Sequence, residues 1–141
     1  MSVKATIRRL ATGIAGFDEL IGGGVPEFSF NLIAGSPGSG KTTLAHQIMF
    51  ALANEQRRAI FFTVLGEPPL KMLRYQQQYS FFDVEKLGET IHFVNLADEM
   101  QGGDFDAILG RIAREVEQIQ PGLVFVDSFR SVMYAMDSGQ R

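Results

Sequence analysis

The chain has 141 residues, a length that suits one domain and allows roughly 68% of the unfolded surface to be buried. With no cysteine, 45% apolar residues and 21% charged residues, it is not a disordered chain, a collagen, a disulfide scaffold or a protein with thiol or cysteine–zinc chemistry. The formal net charge of -3 gives no overall basic field that would attract nucleic acid or an acidic membrane. No apolar run approaches the roughly 20 residues of a membrane-spanning helix, so we expect a cytoplasmic protein with no membrane partner.

The predicted elements begin with a short helical segment over residues 12–21. Three glycines at residues 22–24, followed by Pro26, end this segment. Residues 28–34 are rich in Phe, Leu and Ile and predict the first strand. Residues 41–53 predict a helix, because Leu or Ile recurs at every fourth position.

Strand-like and helix-like segments continue to alternate in the second part of the chain. Residues 59–65 predict a strand, Pro68-Pro69 predicts the start of a helix, and residues 91–96 predict another strand. Asp104 is the predicted N-cap of an amphipathic helix that a Pro-Gly pair ends, and residues 123–126 form a purely apolar strand. This alternation predicts an α/β fold, in which a mainly parallel sheet is covered by helices on both faces.

A glycine-rich loop follows the first predicted strand and opens the next helix. Its sequence, GSPGSGKT over residues 35–42, matches the Walker A phosphate-binding pattern G-x-x-x-x-G-K-[ST]. We predict that Lys41 contacts the β- and γ-phosphates, that the Thr42 hydroxyl binds Mg²⁺ and that Thr43 reaches the α-phosphate. The predicted phosphate-binding residues are Gly35, Pro37, Gly38, Ser39, Gly40, Lys41, Thr42 and Thr43. The alternative is an ordinary Gly-rich turn. For residues 22–24 both a flexible turn and a packing role beside the nucleotide stay open.

Two carboxylates are candidates to complete this site. Asp127 follows the last apolar strand and is the predicted Mg²⁺ carboxylate, since ligands bind at the carboxyl ends of parallel strands. The alternative role for Asp127 or Ser128 is a helix N-cap. Glu67 follows the strand at residues 59–65 and is the predicted catalytic residue that orients the attacking water, with Lys41 as the second catalytic residue. The alternative for Glu67 is an acid that stabilises a helix N-terminus.

Several motifs in this order resemble KaiC-like ATPases of the RecA-type P-loop NTPase superfamily, to which RadA recombinases also belong. The resemblance rests on TGIAGFDEL at residues 12–20, GGGVP at residues 22–26, the phosphate loop, Glu67-Pro68-Pro69 and Val126-Asp127-Ser128. It implies a three-layer α/β/α core, ATP and Mg²⁺ as cofactors and a homo-oligomeric, usually hexameric, ring. It also implies slow ATP hydrolysis in a regulatory conformational switch, with circadian-clock-like signalling and a regulatory protein partner as its setting.

The chain departs from the family pattern at two places. Gly66 stands where relatives carry the first of two adjacent glutamates, which puts hydrolysis in question. The chain also ends at Arg141, soon after Asp127. Residues 1–141 are therefore expected to be the N-terminal portion of one RecA/KaiC-like ATP-binding domain, with a core that is incomplete at its C-terminus. Unpaired strand edges would then make this chain marginally stable or prone to self-association. Autokinase activity is not carried over.

Two other functions stay open at the sequence level. Gly66 is compatible with a non-hydrolysing nucleotide sensor or assembly module, in which bound ATP only holds a ring or a partner together. The second alternative is a RadA-like DNA recombinase or helicase ATPase. The acidic net charge of -3 disfavours nucleic acid as a partner.

Overall fold

The computed structural model describes residues 4–64 and 69–138. The chain divides into two compact units, Met1–Leu52 and Ala53–Arg141, which we call the N-terminal unit and the sheet unit. The N-terminal unit carries the glycine-rich loop, and the sheet unit carries the parallel strands.

A small antiparallel pair of strands organises the N-terminal unit. Strand β1 (Arg9–Leu10) pairs with β2 (Val25–Pro26), and the short helix α1 (Phe17–Leu20) lies between them in the chain. The helix predicted over residues 12–21 is confirmed only in its second half, since Gly13 and Gly16 have φ of 73° and 77° and interrupt the helical backbone. Helix α2 (Lys41–Leu52) follows the loop, as predicted.

Two side chains hold the turns of the N-terminal unit. The carboxylate of Asp18 accepts hydrogen bonds from the backbone N–H of Thr12 (3.0 Å), the hydroxyl of Thr12 (2.7 Å) and the N–H of Gly13 (2.9 Å). The guanidinium of Arg9 donates to the carbonyl oxygens of Ile21 (2.9 Å) and Gly24 (3.2 Å). These contacts fix the Thr-Gly turn and the three-glycine turn within one unit.

The strand predicted over residues 28–34 is not formed, and this prediction was wrong for the described chain. Residues 27–28 form a turn and residues 29–36 belong to no helix or strand. Phe28, Phe30 and Leu32 are exposed. The physical reason is that alternating apolar residues make a strand possible but do not ensure one. A strand forms only where a neighbouring strand is hydrogen-bonded to it.

The sheet unit is built on three parallel strands. They are β3 (Ala59–Thr63), β4 (Ile91–Asn95) and β5 (Leu123–Asp127), in the order β4-β3-β5. Ala59 lies opposite Ile91 on one side and Leu123 on the other. The helices of this unit are α3 (Pro69–Gln76), α4 (Ala97–Gln101), α5 (Phe105–Ile119) and α6 (Phe129–Ser138). The predicted mainly parallel α/β architecture is confirmed, although α4 and α6 were not predicted.

The core of the sheet unit lies on the central strand and one helix. All five residues of β3 are buried. Ile60 and Phe62 pack with Val94, Leu96 and Ile108, the last of which is only 1% exposed. Strand β5 alternates between half-buried and exposed residues, in contrast to β3. The core therefore forms between the central strand and α5.

The amphipathic helix α5 begins as the sequence predicts. The Asp104 carboxylate accepts a hydrogen bond from the N–H of Asp106 at 3.0 Å, which confirms Asp104 as the N-cap. The helix ends at Gln120, whose φ of 53° is left-handed. The following Pro-Gly pair then leads into β5.

Candidate functional site

The glycine-rich loop has the local geometry of a phosphate-binding loop. The N–H of Ser39 donates to the carbonyl of Ser36 at 3.1 Å, which closes a tight turn before the helix. Gly38 and Gly40 have φ of 77° and 91°, a conformation in which a Cβ is unfavourable. The N–H of Leu44 donates to the carbonyl of Gly40 at 2.9 Å, so α2 starts directly at the end of the loop.

Lys41 is the only charged residue between Glu27 and Glu55. Its ammonium group donates to the carbonyl oxygens of Gly35 (2.6 Å) and Ser36 (3.1 Å). The side chain therefore folds back over the loop that it follows in sequence. No acidic residue stands in the first turn of α2, so the positive end of the helix dipole is not neutralised locally. This electrostatic environment favours an anion.

The loop is open to solvent. Residues 35–40 are exposed, and the first residues of α2, including Thr42 and Thr43, are half-buried. A Cβ on Gly35 would lie 2.6 Å from the Ser39 hydroxyl, so glycine leaves room for the tight turn. An exposed glycine-rich loop with backbone N–H groups and one lysine suits a polyphosphate.

The carboxyl ends of the three parallel strands form a polar rim in the sheet unit. Thr63 lies in register with Asn95 on one side and Asp127 on the other. Asp127 is half-buried and is the last residue of β5, as predicted. Sequence reasoning did not identify Thr63 and Asn95 as rim residues. The sequence feature that could have identified them is that each is the polar residue at the end of an apolar strand.

The cap of α6 is provided by Ser128. The N–H of Ser131 donates to the carbonyl oxygen of Ser128 at 3.1 Å and to the Ser128 hydroxyl at 3.4 Å. The hydroxyl oxygens of Ser128 and Ser131 are 2.9 Å apart. Of the two residues considered for the N-cap, Ser128 thus stands next to the helix start. The peptide bond between Asp127 and Ser128 is cis.

Glu67 and Gly66 lie outside the described residues. The chain leading to them is described up to Val64, whose N–H donates to the Asp127 carbonyl at 3.2 Å. Val64, the last described residue before Glu67, is therefore hydrogen-bonded to Asp127. The catalytic role of Glu67 stays a prediction.

Asn95 has a local structural role at the same rim. Its side-chain oxygen accepts a hydrogen bond from the N–H of Ala97 at 2.9 Å, at the start of α4. Further along α4, Glu99 forms an ion pair with Arg111 at 2.8 Å, and Arg111 also contacts Glu115 at 3.0 Å. Burial acts to raise the pKa of Glu99, but hydrogen bonds to its backbone and to Arg111 lower it overall. This network joins α4 to α5.

Comparison with known proteins agrees with this geometry. Residues 10–140 match the family model described as "ATPase: KaiC". The chain belongs to the KaiC family of ATPases. Nucleotide binding is thus the general property of its family, and the resemblance noted in the sequence is confirmed.

Proteins similar to this chain differ in their described roles. The chain is 27% identical to the circadian clock oscillator protein KaiC of Prochlorococcus marinus, over 97% of this chain and 28% of that protein. It is 32% identical to the DNA repair protein RadA of Mycolicibacterium smegmatis, over 89% of this chain and 23% of that protein. The chain thus spans about a quarter of the length of these relatives. Clock and DNA repair proteins both occur among these relatives, so the similarity does not select a circadian role.

A solved structure confirms the fold of this KaiC-family chain. The crystal structure of the KaiC-like protein PH0186 from Pyrococcus horikoshii matches with a TM-score of 0.77 and 31% identity, over 96% of this chain and 60% of that chain. The predicted α/β, RecA-type architecture is therefore correct. Within residues 4–64 and 69–138, no helix is long and apolar enough to cross a membrane.

Proposed function

We propose that this KaiC-family chain carries an ATP site, and that ATP hydrolysis at this site is slow and drives a regulatory conformational switch. The observation that supports it most directly is the loop over residues 35–43, with its exposed turn, left-handed glycines and single lysine at a helix start. Membership of an ATPase family points to the same chemistry. Residues 1–141 are proposed to be the N-terminal portion of one such domain.

The phosphate contacts follow from the groups that the loop offers. Pro37 has no N–H, so backbone donors come chiefly from residues 38–43. The Lys41 ammonium, now bonded to two loop carbonyls, would exchange them for phosphate oxygens. Lys41 and the backbone N–H groups would thereby stabilise negative charge on the phosphates, which is the main requirement of phosphoryl transfer.

Oxygen donors suited to Mg²⁺ are present in the predicted set. The Thr42 hydroxyl and the Asp127 carboxylate are hard oxygen ligands of the type that Mg²⁺ prefers, and Asp127 is held at the end of a strand. When bound, Mg²⁺ would neutralise phosphate charge. The pairing of Thr42 with Asp127 rests on motif order along the chain.

Glu67 is proposed to orient the attacking water. Its position after β3 and the bond from Val64 to Asp127 support this role. The second candidate function is a nucleotide sensor that binds ATP without hydrolysing it, and the observation that favours it is Gly66. A ring-shaped homo-oligomer and a regulatory protein partner are proposed for either function, and a cytoplasmic location accompanies them.

The test of the ATP site compares Lys41→Ala with Lys4→Ala, which removes an exposed lysine of the same unit. We expect Lys41→Ala to weaken ATP binding by roughly 10- to 100-fold, because hydrogen bonds to charged groups contribute about 1.5–3 kcal/mol. Lys4→Ala should bind as the parent chain does. Calorimetry with Mg²⁺ would measure ATP affinity. If both variants bound ATP equally well, the phosphate loop would not be the ATP site.

The variant Glu67→Gln tests ATP hydrolysis separately from ATP binding. A slow ATPase predicts that this variant still binds ATP but releases phosphate at a lower rate than the parent chain. A sensor predicts tight ATP binding and no phosphate release in both proteins. Salt-dependent binding to single-stranded DNA would favour the recombinase alternative.

A further inference from the structure

A single residue, Ser128, separates Asp127 at the end of β5 from the first residue of α6. The orientation of the Asp127 carboxylate therefore depends on the start of α6 as well as on the sheet. On the sheet side, the carbonyl oxygen of Asp127 accepts a hydrogen bond from the N–H of Val64 at 3.2 Å. Asp127 also lies in register with Thr63 of the central strand. These contacts fix the end of the strand, and the direction of the chain after it is set by α6.

Two serines determine how α6 begins, and we call Ser128 and Ser131 the serine pair. Their hydroxyl oxygens are 2.9 Å apart, a distance typical of a hydrogen bond between hydroxyl groups. The N–H of Ser131 also donates to the carbonyl oxygen of Ser128 at 3.1 Å and to its hydroxyl at 3.4 Å. These contacts hold the first turn of α6 against the residue that follows Asp127.

A carboxylate that binds a metal ion depends on the groups around it for its orientation. Mg²⁺ requires near-ideal octahedral geometry, so a change in the angle of one ligand weakens its binding. Groups that hold the ligands in place therefore affect metal affinity without touching the metal. We propose that the serine pair is a positioning element for Asp127, which fixes the start of α6 and thereby orients the carboxylate for Mg²⁺. This role rests on the proposed ATP site, in which Asp127 is the Mg²⁺ carboxylate.

A helix cap alone would involve the same contacts, but it predicts a different response to Mg²⁺. Loss of a cap lowers the stability of the chain and leaves the effect of Mg²⁺ on ATP binding unchanged. Loss of a positioning element reduces that effect. Asp104 provides a matched control, because its carboxylate caps α5 of the same unit by accepting the N–H of Asp106 at 3.0 Å.

The experiment measures the ATP affinity of the 141-residue chain by calorimetry, once with Mg²⁺ and once with EDTA. The readout is the ratio of the two affinities, and thermal unfolding monitors stability separately. We expect Ser131→Ala to lower the ratio about tenfold, as the loss of a group that holds a metal ligand does. Alanine is favourable within a helix, so this variant should fold. Ser131→Thr, which keeps a hydroxyl, and Asp104→Ala should both keep the ratio of the parent chain.

Asp127→Asn distinguishes failure of the serine pair from failure of the proposed ATP site. If Asp127→Asn lowered the ratio and Ser131→Ala did not, the role of the serine pair would be overturned and the metal role of Asp127 would stand. Equal losses in Ser131→Ala and Asp104→Ala, or in Ser131→Ala and Ser131→Thr, would also overturn it, because the Ser131 hydroxyl would not be the cause. If Asp127→Asn left the ratio unchanged, the metal role of Asp127 and the positioning role would both be wrong.

Discussion

Asp18 is the residue that ties the Thr-Gly turn to the first helix. Its carboxylate accepts three hydrogen bonds, and these lower its pKa below the ordinary value of 3.8, with the Thr12 hydroxyl as the largest cause. The folded chain thus favours the charged form more than the unfolded chain does. This contribution to stability is present above the unfolded pKa and is lost as the pH falls through the lower folded pKa.

We expect the backbone N–H groups of Thr12 and Gly13 to lose protection from exchange as the pH falls below about 4, after correction for the intrinsic exchange rate. Protonation of Asp18 removes the charge that these donors bind. Asp18→Asn should lack this pH dependence, whereas Asp98→Asn, at an exposed position, should retain it. Nuclear magnetic resonance would measure it, and equal pH profiles for both variants would contradict the role of Asp18.

Gly24 and Gly110 are expected to respond to alanine in opposite directions. Gly24 is buried with φ of 140°, and an added Cβ would strike the carbonyl of Leu10. We expect Gly24→Ala to lower the free energy of unfolding by about 1–3 kcal/mol. Gly110 lies within α5 with nothing near its Cβ position, so Gly110→Ala should raise that free energy by about 0.5–1 kcal/mol. Urea unfolding would measure the change in the free energy of unfolding for both variants. Changes of the same sign would contradict this expectation.

At the scale of elements, two apolar runs of similar composition reach different structures. Residues 59–63 become the central strand β3 because β4 and β5 pair with it on both sides, and all five residues are buried. Residues 28–34 have the same strand-forming character but belong to no strand of the described chain. Composition thus sets what a segment is able to form, and the neighbouring strands decide whether it does.

Helix α5 shows how strongly the core depends on one face of an element. Ile108 is 1% exposed and packs in the core, whereas its neighbour Leu109 is 46% exposed. We expect Ile108→Ala to lower the free energy of unfolding by about 2–4 kcal/mol through the lost contacts and the resulting cavity. Leu109→Ala should cost less than about 1 kcal/mol. Thermal and urea unfolding would measure both changes. If the two variants lost similar free energies of unfolding, Ile108 would not be part of the core.

At the scale of the whole molecule, the candidate functional groups are distributed over two compact units. The phosphate loop belongs to the N-terminal unit, while Asp127 and the polar rim belong to the sheet unit. The chain spans 28% of its KaiC relative and 60% of the KaiC-like chain from Pyrococcus horikoshii. The activity and assembly of those longer proteins are therefore proposals for this chain, whereas membership of their family is shown.

The sequence by itself determined the features that depend on local chemistry. Residue type and short-range spacing set the Walker A pattern, the start of α2 at Lys41, the N-cap at Asp104 and the three apolar strands of the sheet unit. Only the tertiary structure decided that Thr63, Asn95 and Asp127 share one rim, because register between distant strands depends on pairing. It also decided the fate of residues 28–34, because a strand needs a partner that periodicity alone cannot supply.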